Sequence, residues 1–152
     1  MTITVREGQP ADADAAINTL RRSIAQLCLP DHGHDPETLE SWLANKTKAS
    51  WHDWLSRTDR SVFVAEKDGL ILGVGMISAA GEVMLTYVDP DARFAGISKK
   101  LLTRMERAAS ERGLERCFLE STKTALNFYL ACGYALVNTG ESELRLEKRV
   151  GG

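Results

Sequence analysis

Three cysteines in 152 residues, four prolines, 7% aromatic residues and a formal net charge of −2 exclude several specialised kinds of protein. Cys28, Cys117 and Cys132 are odd in number, widely spaced and set among apolar residues, which argues for reduced thiols over a disulfide framework or a zinc site. Nothing in their surroundings marks one of them as an activated nucleophile. The small net charge offers no general attraction for nucleic acid or for an acidic membrane surface. The first residues, MTITVREGQP, hold no apolar run of signal length, and no stretch approaches the length of a membrane span. Internal repeats, low-complexity segments and linkers are also missing. The expectation is a single domain, residues 1–152, in the cytoplasm, with neither nucleic acid nor membrane as partner.

What is present alternates between strand and helix patterns. Ile3 to Arg6 reads as a first strand, closed by Gly8 and Pro10. From about Ala11 a helix follows, with Ala13, Ile17, Leu20, Ile24 and Leu27 on one face and Asn18, Arg21, Arg22 and Gln26 on the wet one. Asp35-Pro36-Glu37 has the form of a helix start. Trp51 and Trp54 lie in a short amphipathic stretch and, with Trp42, read as cover for a small core or as the wall of a substrate pocket. Ser61 to Glu66 and Leu70 to Ile77 form a hairpin about Asp68-Gly69, with Gly73 and Gly75 signalling a bend or a close neighbour. Glu82 to Val88 is the fourth strand, a helix runs from Ser98 to Gly113, and Leu114 to Ser121 is a fifth strand expected parallel to the fourth. Thr124 to Cys132 is the next helix, Tyr134 to Val137 and Glu143 to Val150 the last strands, and the final Gly-Gly a free end.

Two clusters invite chemistry. Asp31-His32-Gly33-His34-Asp35 offers imidazoles and carboxylates, but no third ligand pattern occurs elsewhere, so it reads as a polar loop and no metal is expected. The stretch Leu85 to Leu102 is more informative. An apolar strand stops at Asp89-Pro90-Asp91, and Arg93-Phe94-Ala95-Gly96-Ile97-Ser98 leads into a helix. Small residues, a fixed positive charge and the free N–H groups of a helix start make a phosphate cradle, which Lys99 in the first turn also reaches.

Val88 to Leu102 resembles the acetyl-coenzyme A (acetyl-CoA) binding motif of the GCN5-related N-acetyltransferases (GNAT), with Ser98 where the family has Gly or Ala. The segment Thr124 to Tyr134, with Phe128-Tyr129 followed by Gly133-Tyr134, resembles the second signature of that family. The resemblance implies an α/β fold, a mostly antiparallel sheet of six to seven strands flanked by helices, with one parallel pair splayed at the cofactor site. It implies transfer of an acetyl group from acetyl-CoA to a primary amine, on a small molecule or a peptide, with a small cationic amine favoured. A homodimer is compatible with it. A non-catalytic acyl-CoA sensor or an interaction module of the same fold is the alternative.

Roles follow from the matching positions. Tyr129 stands where the family has a tyrosine that donates a proton to the departing thiolate; a phenol pKa of about 10 is close to that of a thiol. Glu82 precedes Arg93 by eleven residues, a spacing similar to that of the base glutamate in histone-modifying members. Alternation along the strand puts it on the face of Met84, Thr86 and Val88; Glu120 is its rival. Main-chain groups near Tyr87 and Val88 are expected to receive the pantetheine arm. Thr122 replaces a family asparagine as a cofactor contact.

Overall fold

The computed structural model describes residues 3–27, 35–92, 96–122, 125–138 and 144–151, apart from the side chains of Trp42 and Asn138. Strand β1 (Thr4–Glu7) passes through a 3-10 turn (Pro10–Asp12) into α1 (Ala13–Leu27), and α2 (Pro36–Leu43) and α3 (Lys48–Ser56) follow. Then come β2 (Arg60–Lys67), β3 (Leu70–Ser78), β4 (Val83–Val88), α4 (Ile97–Glu111), β5 (Arg116–Ser121), α5 (Leu126–Ala131), β6 (Ala135–Asn138) and β7 (Leu144–Arg149). The helix starts have local causes. Asp35 precedes Pro36 at the first helical position of α2, and the Thr47 hydroxyl accepts the Ser50 N–H at 3.1 Å to open α3. Asp68 and Gly69, at φ +54° and +81°, make the tight turn between β2 and β3.

The strands form two sheets, in the orders β1-β2-β3-β4 and β5-β7-β6, with every strand pair antiparallel. Between the sheets the expected parallel pair shrinks to one bridge, Glu82 to Phe118, beyond which β4 and β5 part. Cores lie on both faces of the first sheet. Val62, Val64, Val74, Met76 and Leu85 meet α1 and α3, while Phe63, Ala65, Ile77, Val83 and Val88 meet α4 and the second sheet. This is the period-two pattern of a sheet covered on both sides.

Trp51 is completely buried against α1 and the sheet, and its indole N–H donates to the Gln9 carbonyl at 2.9 Å, so the two described tryptophans are core. Gly73 and Gly75 mark a close neighbour: a Cβ on Gly73 would come within 2.8 Å of Ile97, and one on Gly75 within 3.0 Å of Met105. Their bareness lets α4 lie directly on β3. The Gly151 N–H donates to the Glu115 carbonyl at 3.1 Å, which ties the residue after β7 to the segment before β5, while Gly152 lies outside the described residues. Among the described residues no helix is long and apolar enough to cross a membrane, and no cluster of His, Cys, Asp or Glu is disposed to hold a metal. Cys28 and the segment from Asp31 to His34 lie outside the described residues.

Candidate acetyl-transfer site

At the end of β4 the chain is fixed from the opposite side of the sheet. Asp89, only 7% exposed, takes the Arg22 guanidinium of α1 at 2.6 Å on one carboxylate oxygen and the Asp91 N–H at 2.9 Å on the other. Arg22 also reaches Asp91 at 2.9 Å. Helical spacing places Arg22 on the wet face of α1; in the structure it anchors the exit of β4. After the 3-10 turn Pro90–Ala92, Gly96 stands as the residue before α4 at φ +78°, a left-handed conformation costly to other residues.

Among the described residues no side chain caps α4 at Gly96, and the first bond of the helix is Lys100 N–H to the Gly96 carbonyl at 3.1 Å. The amides of Ile97, Ser98 and Lys99 therefore precede the ladder. Ile97 is buried and anchors the turn, Ser98 is half-buried, and Lys99 is exposed. Among the described residues, a Cβ on Gly96 would meet nothing within 4 Å. An uncapped 15-residue helix with lysine in its first turn fits an anionic group. Arg93, Phe94 and Ala95 lie outside the described residues.

Across the gap, α5 brings Tyr129 to the end of β4. Its ring is 8% exposed, edge-on to Phe128 at 5.2 Å and to Tyr134 at 5.8 Å. Burial pushes the phenol pKa up, and the neighbouring Thr86 hydroxyl pulls it back. Thr86 Oγ1 is itself buried without a formed hydrogen bond. The register of β3 with β4, and the Asp89 N–H bond to the Leu72 carbonyl at 2.8 Å, turn the main chain of Tyr87 toward β3. Thr86 and Val88 then direct theirs into the gap. Of the two main-chain positions expected from sequence, Val88 opens to the cleft, while the Tyr87 peptide is committed to the sheet.

The placement of Glu82 differs from the alternation read in the sequence. Met76 pairs with Leu85 and Ile77 with Val83, so Met84 is an extra residue, a β-bulge. Val83 consequently faces the α4 core and Leu85 the α1 core. Glu82 lies on the α1 face, opposite Thr86 and Val88, and four residues from Thr86 is about 10 to 13 Å along a strand. Thr122 is turned to local work: its Oγ1 accepts the Ala125 N–H at 3.2 Å ahead of α5.

Sequence reading missed a polar group behind Tyr129. Lys148 bonds Glu106 at 3.1 Å, and burial together with the Glu106 carboxylate drives the Tyr134 phenol far up. Burial raises Cys117 to about 11, with the Glu106 charge adding to it, and burial raises Cys132 too, so neither is a ready thiolate. The heptad-like run of α4 shows Glu106 beside buried Met105, but no local pattern marks it as an inward acid.

A family model described as the acetyltransferase (GNAT) domain matches residues 28–144. The chain belongs to the GNAT acetyltransferase family, whose members use acetyl-CoA. It is 37% identical over 67 residues to an amino-acid acetyltransferase of Azotobacter vinelandii, covering 41% of this chain and 16% of that one. It is 33% identical over 89 residues to an IAA acetyltransferase of Azospirillum brasilense, covering 53% and 58%. The chain thus spans under two thirds of the length of these curated relatives. Among solved structures, the PaiA N-acetyltransferase of Thermoplasma acidophilum in complex with coenzyme A superposes with a TM-score of 0.89 at 22% identity, over 98% of this chain and 99% of the other. A GCN5-related N-acetyltransferase from Rhodopseudomonas palustris gives 0.85 at 23%, over 98% and 96%. The mixed α/β architecture, antiparallel sheets flanked by helices, is the GNAT fold.

Proposed function

We propose that this protein transfers an acetyl group from acetyl-CoA to a primary amine on a small molecule, by direct attack of the amine. The observation that carries the reading is the pairing, across parted strands, of an uncapped helix start at Gly96 with a buried phenol at Tyr129 beside the orphaned hydroxyl of Thr86. The amides of Ile97, Ser98 and Lys99 would hold the pyrophosphate, and the inward main-chain groups of Thr86 and Val88 the pantetheine arm. Acetyl-CoA, when bound, supplies an activated acetyl group, whose transfer forms a C–N bond and breaks a C–S bond. The Val88 N–H would steady negative charge on the carbonyl oxygen.

Tyr129 would hold a proton for the departing sulfur: its raised pKa keeps it protonated through the physiological range. Glu82, on the α1 face, would take the proton lost by the amine. Its distance along the strand requires a chain of waters between. Acid and base then work from opposite faces, as two co-substrates meeting in a cleft require.

Calorimetric titration of acetyl-CoA into the wild type and Gly96→Trp, followed by thiol release with an amine panel, tests this. Binding should be lost in Gly96→Trp; the left-handed φ of +78° makes the substitution strained, so far-UV circular dichroism is recorded beside the titration to show that the fold is kept. Tyr129→Phe should lower kcat about 100-fold. Tight binding by both proteins would refute the cradle, and binding without turnover on any amine would refute the enzyme.

A further inference from the structure

The two flanks of α4 face different parts of the molecule. On one, Glu106 bonds Lys148 of β7 and Leu102 joins the core that holds Tyr129, so this flank looks to the second sheet and the cleft. On the other, Arg104 lays its guanidinium over the Phe63 ring of β2, 4.6 Å from the centroid. There a groove of about 510 Å³ opens between the helix and the edge strand β1. Val5 of β1 and Ile3 just before it form an apolar wall, and Lys99, Lys100, Arg104 and Arg107 supply four cations. The volume is that of a site for a small organic molecule.

Arg104 is the informative member. Among the described residues four arginines are half-buried, and three of them meet carboxylates: Arg6 meets Asp12 and Glu66, Arg22 meets Asp89 and Asp91, and Arg60 meets Asp59. Arg104 meets none of the described carboxylates. Its Nη1 is buried without a hydrogen-bond partner, and the face of Phe63 answers only part of a guanidinium charge. A merely solvated basic face would leave this group in water.

Its neighbours add to the unmet charge. The helix and the residue after it, 97–112, hold five lysines and arginines against two carboxylates, in a chain whose formal net charge is −2. Glu106 is engaged on the opposite flank, and Glu111 approaches Arg107 only at 3.7 Å with both side chains 65% exposed, a weak pair. Lys99 and Lys100 form no ion pair with any described residue. Lys100, Arg104 and Arg107 are spaced by four and three residues, so they stand in one line over about 10 Å of helix. A single carboxylate or phosphate meets only part of that line. A chain of phosphates can follow it, with an organic body laid against Ile3 and Val5.

We infer that this groove is a second ligand site, separate from the acetyl-CoA cradle, for a small polyphosphate anion of nucleotide size whose phosphates run along Lys100, Arg104 and Arg107. The inference does not depend on the acetyl-transfer reading, because the groove lies on the flank of α4 turned away from Tyr129.

The test is calorimetric titration of ATP and of inorganic tripolyphosphate, in magnesium-free buffer so that the phosphate charge is unmasked, into the protein alone and into protein saturated with coenzyme A. ATP should bind once per chain in both. Arg107→Glu, at an exposed position about 16 Å along the helix from Gly96, should weaken ATP about tenfold or more and leave coenzyme A affinity unmoved. Arg104→Gln should do the same, and Arg104→Lys should recover part of the loss; if Arg104→Gln does not fold, the exposed Arg107→Glu decides alone. ATP held more tightly than tripolyphosphate assigns a nucleotide, and equal affinity assigns the bare phosphate chain; either supports the site. Binding of neither probe, displacement of ATP by coenzyme A, or an ATP affinity unmoved in Arg107→Glu overturns it. Failure of coenzyme A itself to bind strikes the cradle, and the groove is then judged on the protein alone by the same variants.

Discussion

The two faces of the four-stranded sheet are built by different rules. On the α1 and α3 side the described polar groups are answered: the Thr19 hydroxyl donates to the Ile71 carbonyl at 3.0 Å, the Trp51 indole to Gln9, and Arg6 forks onto Asp12 at 2.8 and 2.9 Å. On the α4 side, Thr86 Oγ1, Arg104 Nη1, Glu106 Oε2 and Tyr134 OH are all buried without a hydrogen-bond partner among the described residues. Burying a polar group unpaired is costly, so four on one face is not a neutral outcome of packing. Thr86 lines the cleft itself, and the other three lie on α4 or beside Tyr129. The face that stores the unmet polarity is the one that carries Tyr129, where acetyl-CoA is proposed to bind; the satisfied face holds the fold.

The largest effect expected from this contrast is on the satisfied face. Trp51→Ala should remove about 3 to 5 kcal/mol of stability, since it opens a large cavity and takes one of the two hydrogen bonds that the Gln9 carbonyl accepts. Denaturant unfolding measures it, and acetyl-CoA affinity of the folded protein should not move. A coupled loss of affinity would show that the two faces are not separable.

A sharper comparison makes one substitution on each face. Thr19→Val strips a formed bond from a buried carbonyl, a loss of about 1 to 3 kcal/mol; Thr86→Val removes a buried hydroxyl that neighbours the Tyr129 phenol without a formed bond, and should cost less. Without Thr86 the only group lowering the Tyr129 pKa is gone, so the phenol moves further up. Equal losses in the two variants would break the distinction between the faces.

Much of this was legible in the sequence because local signals agreed with the global fold. Asp68-Gly69 demanded a tight hairpin, and apolar spacing in α1 and α4 their buried stripes. The two signatures of the family pointed to the family itself, to which the chain belongs. What could not be read was non-local. The bulge at Met84 carries no glycine or proline, and it exists because β4 must satisfy β3 on one edge while leaving β5; strict alternation therefore put Glu82 on the wrong face. Arg22 looked like any outward arginine until Asp89 was brought to it from 67 residues away. Glu106 and Lys148 likewise meet only when β7 slides between β5 and β6, an order that no turn residue announces.

The smallest effect tests whether the satisfied face depends on charge. Asp12 is held ionised below the usual carboxylate range, first by the Arg6 hydrogen bonds, opposed by burial, and further by the Gln9 N–H at 2.8 Å. A carboxylate whose folded pKa lies under its unfolded value of 3.8 stabilises the fold fully above that value and loses its contribution as pH falls through the folded pKa. Asp12→Asn should therefore cost about 1 kcal/mol at pH 7, because one oxygen of the fork and the charge are removed while a carbonyl remains for Gln9. The gap between wild type and variant should be constant from pH 7 down to about 5 and close as the solution is taken below 4. A gap that persists in acid would mean that Asp12 acts through its shape alone, and that the α1 face is satisfied by hydrogen-bond geometry without help from the Arg6 charge.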